Sequence, residues 1–311
     1  MIKDIAIGVD IGGSHITCIA VNLVSGQLMK ETLSDRAVDN HDQAFRIIAE
    51  WGACLLNVFE RVPTERIKGI GIAMPGPFDY VNGVALFKGG PKYENLYGFN
   101  IGDALRSTLD ASAEMQVRFI NDASAFAVGE AWTGKLAGAN RSMAITLGTG
   151  FGSAFMDYYT PIVNGNEVPD LGCLYHLPFR GFTADEYFST RWFLSNYTYR
   201  TGKKLSGVKE LSELAQTDQT AKNLFVEFGN NLGEFLAPWL ISFKAEILVV
   251  GGNISNGWSL FGDSFAKSLK MRNCNTRLEI SELKEDAALL GSAYLLDDKF
   301  WSAIQPALPY M

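Results

Sequence analysis

Cysteine and histidine are scarce in this sequence, which has four Cys and three His among 311 residues. The cysteines lie far apart and form no Cys-x-x-Cys pair: Cys18, Cys54, Cys173 and Cys274. This spacing argues against a disulfide framework and against a zinc site, and it favours reduced, mostly buried thiols. We therefore expect a cytoplasmic protein without structural zinc.

Long apolar runs and basic clusters are also absent from the sequence. No uninterrupted apolar stretch is long enough to span a bilayer, and Lys3 and Asp4 lead directly into a strand pattern instead of a targeting signal. The net charge is -7, whereas a protein that binds nucleic acid needs a basic face. We expect neither a membrane nor a nucleic acid as a partner.

The sequence does contain a regular alternation of strand and helix patterns, which predicts α/β layers. Its length suits two domains, and its 47% hydrophobic and 20% charged residues are ordinary for a globular protein. Residues 158–181, rich in Pro and Gly, are predicted to form a loop. Predicted strands cover residues 5–9, 16–21, 26–33, 67–74, 84–87, 117–120, 142–147, 153–157, 246–250 and 276–280. Predicted helices cover residues 40–63, 101–109, 123–132, 185–197, 207–217, 220–243, 259–271 and 286–296.

Three Gly-rich turns, at residues 10–14, 147–152 and 250–253, each follow an apolar strand. Glycines let a backbone approach a ligand closely, and successive amides in such a turn bind anions. None of the turns matches the Walker or dinucleotide patterns, because the first two return into strands. This repeat suggests an internal duplication with two similar domains facing one cleft. Taken alone, each turn is equally compatible with an ordinary hairpin.

Carboxylates at strand ends supply candidate chemistry beside these turns. Asp10 ends the first strand, where it is placed to hold a hydrated divalent cation. Asp122 ends a later strand and begins a helix, so it is a candidate general base that accepts a proton from a hydroxyl group attacking a phosphoryl group. Asn121 can both donate to and accept from a sugar hydroxyl. The alternative for Asp122 is a plain helix N-cap.

For several other polar and aromatic residues, a purely structural role explains the sequence as simply as a functional one. His176 lies in the predicted loop, where a lone histidine is often only a hydrogen-bonding residue. Asp185 and Glu186 begin a helix, where the dipole favours carboxylates. The following aromatic stripe, predicted to be core or subunit interface, comprises Tyr187, Phe188, Trp192, Phe193 and Tyr197.

Together, these motifs resemble those of the ROK family of sugar kinases and sugar-responsive repressors, which shares the fold of actin, hexokinase and heat-shock chaperone ATPases. The resemblance covers nearly the whole chain. The turns at residues 10–14, 147–152 and 251–253 are similar to the two phosphate motifs and the adenosine-side turn of the family. His15 stands where many members have lysine. The sugar-side motifs correspond to residues 69–76, 95–96 and 121–125, and the aspartate of the last is the family's catalytic base.

Two departures from the family pattern concern the sugar side. Cys173 stands where the family has a sugar-contacting glutamate, although His176 of the same motif is retained. The Cys-rich zinc motif that normally follows is missing, and Asp185, by its spacing to Ser189, replaces a glutamate that often contacts the sugar. This arrangement resembles the glucokinase branch that uses polyphosphate or ATP.

The resemblance implies an actin/hexokinase-like (ribonuclease H-like) α/β fold of two domains with an interdomain cleft, residues 1–120 plus 297–311 forming the smaller one and 121–296 the larger. It implies an ATP- and Mg2+-dependent kinase of a hexose, glucose or a close relative, that forms a homodimer. Expected contacts to phosphate and nucleotide are Gly12, Gly13, Ser14, Gly148, Thr149, Gly150, Gly251, Gly252 and Asn253, with Asp10 for the metal. Expected contacts to the sugar are Gly76, Asn95, Asn121, Asp122, His176 and Asp185.

Two alternative functions remain open at this point. The replacement of glutamate by Cys173 is compatible with a non-catalytic protein that binds a sugar or nucleotide. A sugar-sensing regulator is the other alternative. Family repressors carry a helix-turn-helix module before the first phosphate strand, whereas only residues 1–4 precede that strand here, so direct binding to DNA is not expected.

Overall fold

The computed structural model describes residues 3–89 and 92–311. The strands are β1 (Ile5–Ile11), β2 (His15–Asn22), β3 (Gln27–Ala37), β4 (Ile67–Met74), β5 (Phe78–Asp79), β6 (Val84–Ala85), β7 (Gln116–Asn121), β8 (Arg141–Leu147), β9 (Phe151–Asp157), β10 (Thr160–Ile162), β11 (Pro178–Phe179), β12 (Phe182–Thr183), β13 (Ile247–Gly251) and β14 (Arg277–Ile280). The helices are α1 (Ala44–Phe59), α2 (Ile101–Thr108), α3 (Asp122–Thr133), α4 (Ala184–Tyr187), α5 (Thr190–Thr201), α6 (Val208–Leu214), α7 (Gln219–Phe243), α8 (Trp258–Met271), α9 (Asp286–Tyr294) and α10 (Asp298–Ile304).

The chain divides into two compact units, and their limits differ from the expected domain boundaries. The first unit comprises the chain through Gly134 together with Tyr159–Pro161 and Glu285–Met311, and the second comprises Lys135–Tyr158 and Ile162–Lys284. The sequence analysis assigned residues 121–296 to one domain, but α3 and α9 belong to the first unit. The reason is their close packing with each other and with the first sheet, which sequence periodicity does not reveal.

The first unit is built on a five-stranded sheet in the order β3-β2-β1-β4-β7. β1 and β2 form an antiparallel hairpin, whereas β1, β4 and β7 run parallel to one another. β1 is almost wholly buried, as expected for a central strand that is rich in β-branched residues. Because the three parallel strands end at the same edge of the sheet, the residues that follow them are brought together there.

Glycines allow α3 and α9 to pack with their backbones in contact. A Cβ atom added to Gly129 of α3 would collide with the carbonyl oxygen of Ala287, and one added to Gly291 of α9 would collide with that of Ala125. α9 also lies against the sheet, where Ser292 Oγ accepts a hydrogen bond of 3.1 Å from the amide of Val9. The start of α3 is therefore held in a fixed position relative to the end of β1.

The second unit repeats the strand pattern of the first. Within this unit the sheet order is β9-β8-β13-β14, in which β8 and β9 are antiparallel and β8, β13 and β14 are parallel. The first unit has the same succession in β2-β1-β4-β7. The internal duplication suggested by the two Gly-rich hairpins is thus present in the strand topology.

The aromatic stripe of α4 and α5 forms the core of the second unit. Phe188 and Phe193 are fully buried and Tyr187 and Trp192 nearly so, and the ring of Phe193 lies 4.6 Å from that of Phe228 on α7. The prediction that this stripe belongs to the core is confirmed.

A continuous helix over residues 185–197 was expected, but the chain breaks at Phe188 and Ser189 into α4 and α5. α4 begins with a capping box in which Thr183 and Glu186 bond each other's backbone. α5 begins with Thr190, whose amide and hydroxyl both donate to the carbonyl oxygen of Gly148, at 2.8 and 3.0 Å. The break between the two helices therefore places Thr190 where it forms hydrogen bonds with the second Gly-rich turn.

Other details agree with or extend the predictions. Asn100 caps α2, accepting a hydrogen bond of 2.9 Å from the amide of Asp103. The predicted loop at residues 158–181 contains β10 and β11, and α10 was not predicted. Cys18, Cys54 and Cys274 are buried and Cys173 is partly exposed. Among the described residues, every helix is too short or too polar to cross a bilayer.

Candidate active site

The edge of the first sheet gathers several of the predicted site residues of the first unit. Asp10 pairs with Ala73 across β1 and β4, and Met74 pairs with Asn121 across β4 and β7. Gly76 and Asp122 therefore continue from neighbouring strand ends. A metal-binding candidate, a general-base candidate and two sugar-side candidates lie along one sheet edge.

The structure shows which of the two residues at the start of α3, Asn121 or Asp122, is the N-cap. Asn121 is the N-cap of α3, its side-chain oxygen accepting a hydrogen bond of 3.2 Å from the amide of Ser124. Asp122 is therefore free of the capping role that was its structural alternative. Its Oδ1 accepts a hydrogen bond of 2.8 Å from the amide of Ala123, which fixes the orientation of the carboxylate.

The electrostatic environment of Asp122 suits a proton acceptor. Its side chain keeps an accessible surface, yet the surrounding protein limits its hydration, and this desolvation raises the pKa of Asp122 above its usual range. The hydrogen bond from Ala123 and the positive charge of Lys92 act in the opposite direction. A carboxylate with a raised pKa is a stronger base than an ordinary aspartate.

Asp10 is a second carboxylate whose pKa is raised. Burial raises its pKa to about 7, and the negative charges of Asp122 and Glu285 add to the effect. A cation placed beside Asp10 would relieve this unfavourable environment, which is what a carboxylate ligand of Mg2+ requires. Mg2+ is often held by only one or two carboxylates, with phosphate oxygens and waters completing its shell.

Tyr80 is a part of this edge that the sequence analysis missed. Its hydroxyl donates to the carbonyl oxygen of Met74 at 3.0 Å and lies 3.4 Å from Nδ2 of Asn121. The same hydroxyl would be 3.5 Å from a Cβ atom on Gly76. Tyr80 is almost fully buried, so it links the sugar-side candidates Gly76 and Asn121.

The first Gly-rich turn offers two adjacent backbone amides. The amide of Gly12, which was expected to contact phosphate, donates instead to the carbonyl oxygen of His15 at 3.0 Å. The amides of Gly13 and Ser14 have no acceptor among the residues that the structure describes. Two neighbouring free amides form the kind of concavity that binds an anion.

The second Gly-rich turn, between β8 and β9, is built in the same way. The amide of Gly148 donates within the turn to the carbonyl oxygen of Gly150 at 3.0 Å. The amides of Thr149 and Gly150 have no acceptor within residues 3–89 and 92–311. The two hairpins thus present equivalent pairs of donors.

Asp185 is bonded to this second turn. Its Oδ1 accepts a hydrogen bond of 2.8 Å from the amide of Phe151, and its Oδ2 pairs with Arg191. Gly150 is needed here because a Cβ atom on it would lie 2.8 Å from Oδ1 of Asp185. Asp185 was expected to contact a sugar, but both its oxygens have partners within the protein.

The third Gly-rich turn packs directly against the second. Gly252 has a φ of 80°, and a Cβ atom on it would collide with the backbone of Leu147, the residue before Gly148. Both the positive φ and the close approach require glycine. Asn253 follows and starts a 3₁₀ segment, so residues 251–253 and 148–150 share one region of the second unit.

His176 lies beside Cys173, in a segment that is hydrogen-bonded to the backbone of Asp185. Its Nδ1 is 4.0 Å from Sγ of Cys173, and the amide of Asp185 donates to the carbonyl oxygen of the adjacent Tyr175 at 2.9 Å. The segment that contains Cys173 and His176 is thus connected to the second Gly-rich turn through Asp185.

Asn95 is engaged in the fold of the first unit. Its side-chain amide donates to the carbonyl oxygens of His41 and Asp42, at 3.0 and 2.9 Å. These bonds tie the segment that carries Asn95 to the chain before α1. The neighbouring Lys92 and Tyr93, which the sequence analysis did not select, lie at the first Gly-rich turn.

Metal-binding side chains are sparse throughout the part of the chain that the structure describes, where no group of three or more His, Cys, Asp or Glu could hold a metal ion. This arrangement fits Mg2+ that is bound mainly through a nucleotide, with few carboxylate ligands from the protein. The absence of structural zinc stays a prediction.

Two α/β units of the same strand topology, each with a Gly-rich hairpin turn, define the class of fold, and comparisons identify the family. A family model described as the ROK family matches residues 6–299, so the chain belongs to the ROK family. The glucokinase of Thermotoga maritima (strain MSB8) is 28% identical, over 94% of this chain and 97% of its own. The xylose repressor of Caldicellulosiruptor bescii is 20% identical, over 93% of this chain and 77% of its own.

A solved structure supports the expected fold. A ROK family glucokinase from Streptomyces griseus, crystallised in complex with glucose and AMPPNP, superposes with a TM-score of 0.74 at 23% identity, covering 94% of this chain and 98% of that chain. The predicted actin/hexokinase-like α/β fold is confirmed.

Proposed function

We propose that this protein is an ATP- and Mg2+-dependent kinase that phosphorylates a hydroxyl group of a hexose, glucose or a close relative. The observation that carries the proposal is the general-base candidate Asp122, which follows β7 on the sheet edge where Asp10 ends β1. The similarity to glucokinases supports the same reaction, while the similarity to a repressor shows that membership of the family alone does not decide it.

Asp122 would accept the proton of the sugar hydroxyl as that oxygen attacks the terminal phosphoryl group. Its hydrogen bond from Ala123 holds the carboxylate in one orientation, and its raised pKa makes it a stronger base. Asn121 would orient the sugar through its side-chain amide, backed by the buried hydroxyl of Tyr80.

The nucleotide would be bound by the three Gly-rich turns and, through Mg2+, by Asp10. The amides of Gly13, Ser14, Thr149 and Gly150 would donate to phosphate oxygens. Residues 251–253 would lie beside the nucleoside. Asp10 would bind hydrated Mg2+, which when bound neutralises phosphate charge.

Besides Asp122, which meets the reacting hydroxyl, the direct sugar contacts in this proposal are Gly76, Asn121 and His176. The side chains of Asn95 and Asp185 form hydrogen bonds within the protein. We therefore propose that they position the segments that contact the ligands. Asp185 would fix the second turn, since it accepts from the amide of Phe151 and pairs with Arg191.

The test is to measure ADP formed with ATP, Mg2+ and a panel of hexoses and N-acetylhexosamines, and then to repeat it with polyphosphate as the donor. Asp122→Asn should lower kcat by about a thousandfold or more and change the Kd of the sugar less than about twofold, because it removes proton transfer and little else. Asp263→Asn, at an exposed carboxylate of α8, is the matched control. Near-normal turnover of Asp122→Asn would show that the base is elsewhere.

A non-catalytic protein that binds a sugar or a nucleotide, including a sugar-sensing regulator, is the second candidate. The specific observation in its favour is that Cys173 replaces the family's sugar-contacting glutamate while Asp185 is already paired. This candidate requires sugar binding in a calorimetric titration but no ADP above the control without sugar.

A further inference from the structure

Lys92 lies against the first Gly-rich turn, although it is distant from that turn in the sequence. A Cβ atom built on Gly13 would be 2.6 Å from Nζ of Lys92 and 2.7 Å from its Cε. The side chain is exposed and forms no salt bridge or hydrogen bond with any residue that the structure describes. Its ammonium group therefore has donors available at the turn.

The segment that carries Lys92 is anchored to the same turn by its neighbour. The hydroxyl of Tyr93 donates to the carbonyl oxygen of Gly12 at 2.6 Å, and its amide donates to the carbonyl oxygen of Asn40 at 3.0 Å. The ring of Tyr93 is fully buried, with its centroid 5.4 Å from that of Trp51. The backbone that carries Lys92 is thus held beside the turn by the buried contacts of Tyr93.

Asn40 completes this arrangement from the other side. Its side-chain amide donates to the carbonyl oxygen of Gly13, so the carbonyl oxygens of both glycines have donors from the protein. The free amides of Gly13 and Ser14 remain, and Lys92 stands beside them. A cation next to two free amides is a recurrent way of binding a phosphate group.

We propose that Lys92, together with the amides of Gly13 and Ser14, binds the terminal phosphoryl group of the nucleotide and stabilises the charge that it carries during transfer. This inference rests on the proposed kinase function and assigns the transferred group to a particular set of donors. It requires Lys92 to discriminate ATP from ADP, because only ATP carries that group.

The charge of Lys92 also reaches the general-base candidate. Lys92 is the cation that acts on Asp122, where it lowers the pKa against the larger effect of burial. The ammonium group therefore lies within electrostatic range of both the turn and Asp122. The phosphoryl group would pass between these two in an in-line transfer to a hydroxyl held by Asp122.

The test compares Lys92→Met and Lys92→Arg with Lys88→Met, whose exposed lysine lies 5.6 Å from the ring of Tyr97 in the same region. Calorimetry should show that Lys92→Met weakens binding of Mg-ATP about tenfold but that of Mg-ADP less than about twofold. Its kcat should fall about a hundredfold, with the KM of the sugar nearly unchanged. Lys92→Arg should recover most of both losses, and Lys88→Met should match the wild type.

Equal losses for ATP and ADP, or a Lys92→Met protein that behaves like Lys88→Met, would overturn the assignment. The binding contrast separates this inference from the proposed function. If the wild type transfers phosphate to no sugar, the kinase proposal fails while the ratio of ATP to ADP affinity still decides the role of Lys92. A wild type that binds neither nucleotide overturns both. Because Lys92 is exposed, the variants should keep the thermal stability of the wild type.

Discussion

The unusual titration of Asp10 links the candidate metal site to the stability of the protein. Burial, followed by the charges of Asp122 and Glu285, raises the pKa of Asp10 in the folded protein to about 7. In the unfolded chain this carboxyl group titrates near its ordinary value of about 3.9. The folded state therefore binds more protons between these two values, and the stability falls as the pH rises through this window.

We predict that Asp10→Asn stabilises the metal-free protein at neutral pH, because the amide does not ionise in its buried position. The gain in the free energy of unfolding should be about 2 kcal/mol larger at about pH 8 than at about pH 5, since each pKa unit corresponds to about 1.4 kcal/mol. Urea denaturation in the presence of a chelator measures it. Asp263→Asn controls for the change in net charge, and a gain that is constant with pH would contradict the prediction.

At the level of elements, the position of α3 depends on close backbone contacts that glycines permit. Gly129 and Gly291 let α3 and α9 touch through their backbones, and Gly8 and Gly71 similarly admit α9 to the sheet. Because Asp122 is the first residue of α3, any shift of this helix moves the general-base candidate relative to Asp10.

Gly129→Ala should therefore destabilise the protein and reduce its activity together. The added methyl group would collide with the carbonyl oxygen of Ala287, and overpacking of this kind costs about 1–3 kcal/mol. Gly102→Ala on α2 is the control: its Cβ would lie 3.4 Å or more from its neighbours, and alanine is the better helix former. Urea denaturation of both variants should separate them, and equal stability would show that α3 can move away without cost.

The elements that sequence patterns predicted well are those whose cause is local. The bounds of β4 were predicted as they occur, because its apolar run is closed by Pro75 and Gly76. The break between α4 and α5 was missed, because its cause is the bonding of Thr190 to Gly148, which is a tertiary contact. Periodicity reports which face of an element is buried and carries no information on such bonds.

The same distinction applies to the candidate site. Asp10, Asn121 and Asp122 could be selected because residues that follow parallel strands meet at one sheet edge. Tyr80 and Lys92 lie in irregular segments without periodicity, and their roles depend on contacts with Asn121 and with the first turn that only the fold creates. The expected direct roles of Asn95 and Asp185 could not be checked from spacing, since spacing does not show which partners satisfy a polar group.

At the scale of the whole molecule, the main feature is the internal duplication. The two Gly-rich hairpins suggested it in the sequence, and the strand topology of the two units contains it. Each unit has an antiparallel hairpin followed by two parallel strands, and in each hairpin turn two neighbouring amides have no acceptor among the described residues. The homodimer and the cytoplasmic location stay predictions. A chain with a net charge of -7 needs such local donors to bind an anionic nucleotide, because its overall field repels anions.

Ligand binding should raise the stability of the whole protein. Measuring this increase tests whether Asp122 is the general base without measuring turnover. A ligand at about a hundred times its Kd adds about 2.7 kcal/mol to the free energy of unfolding, or about 5 °C in Tm for a chain of this size. We predict that the hexose producing the largest shift in the wild type produces the same shift in Asp122→Asn. The reason is that a general base contributes chiefly to the transition state, so its removal leaves the bound ground state nearly unchanged. Thermal melts with each sugar of the panel measure this, and a shift lost in Asp122→Asn would make Asp122 a sugar-binding residue instead of the base.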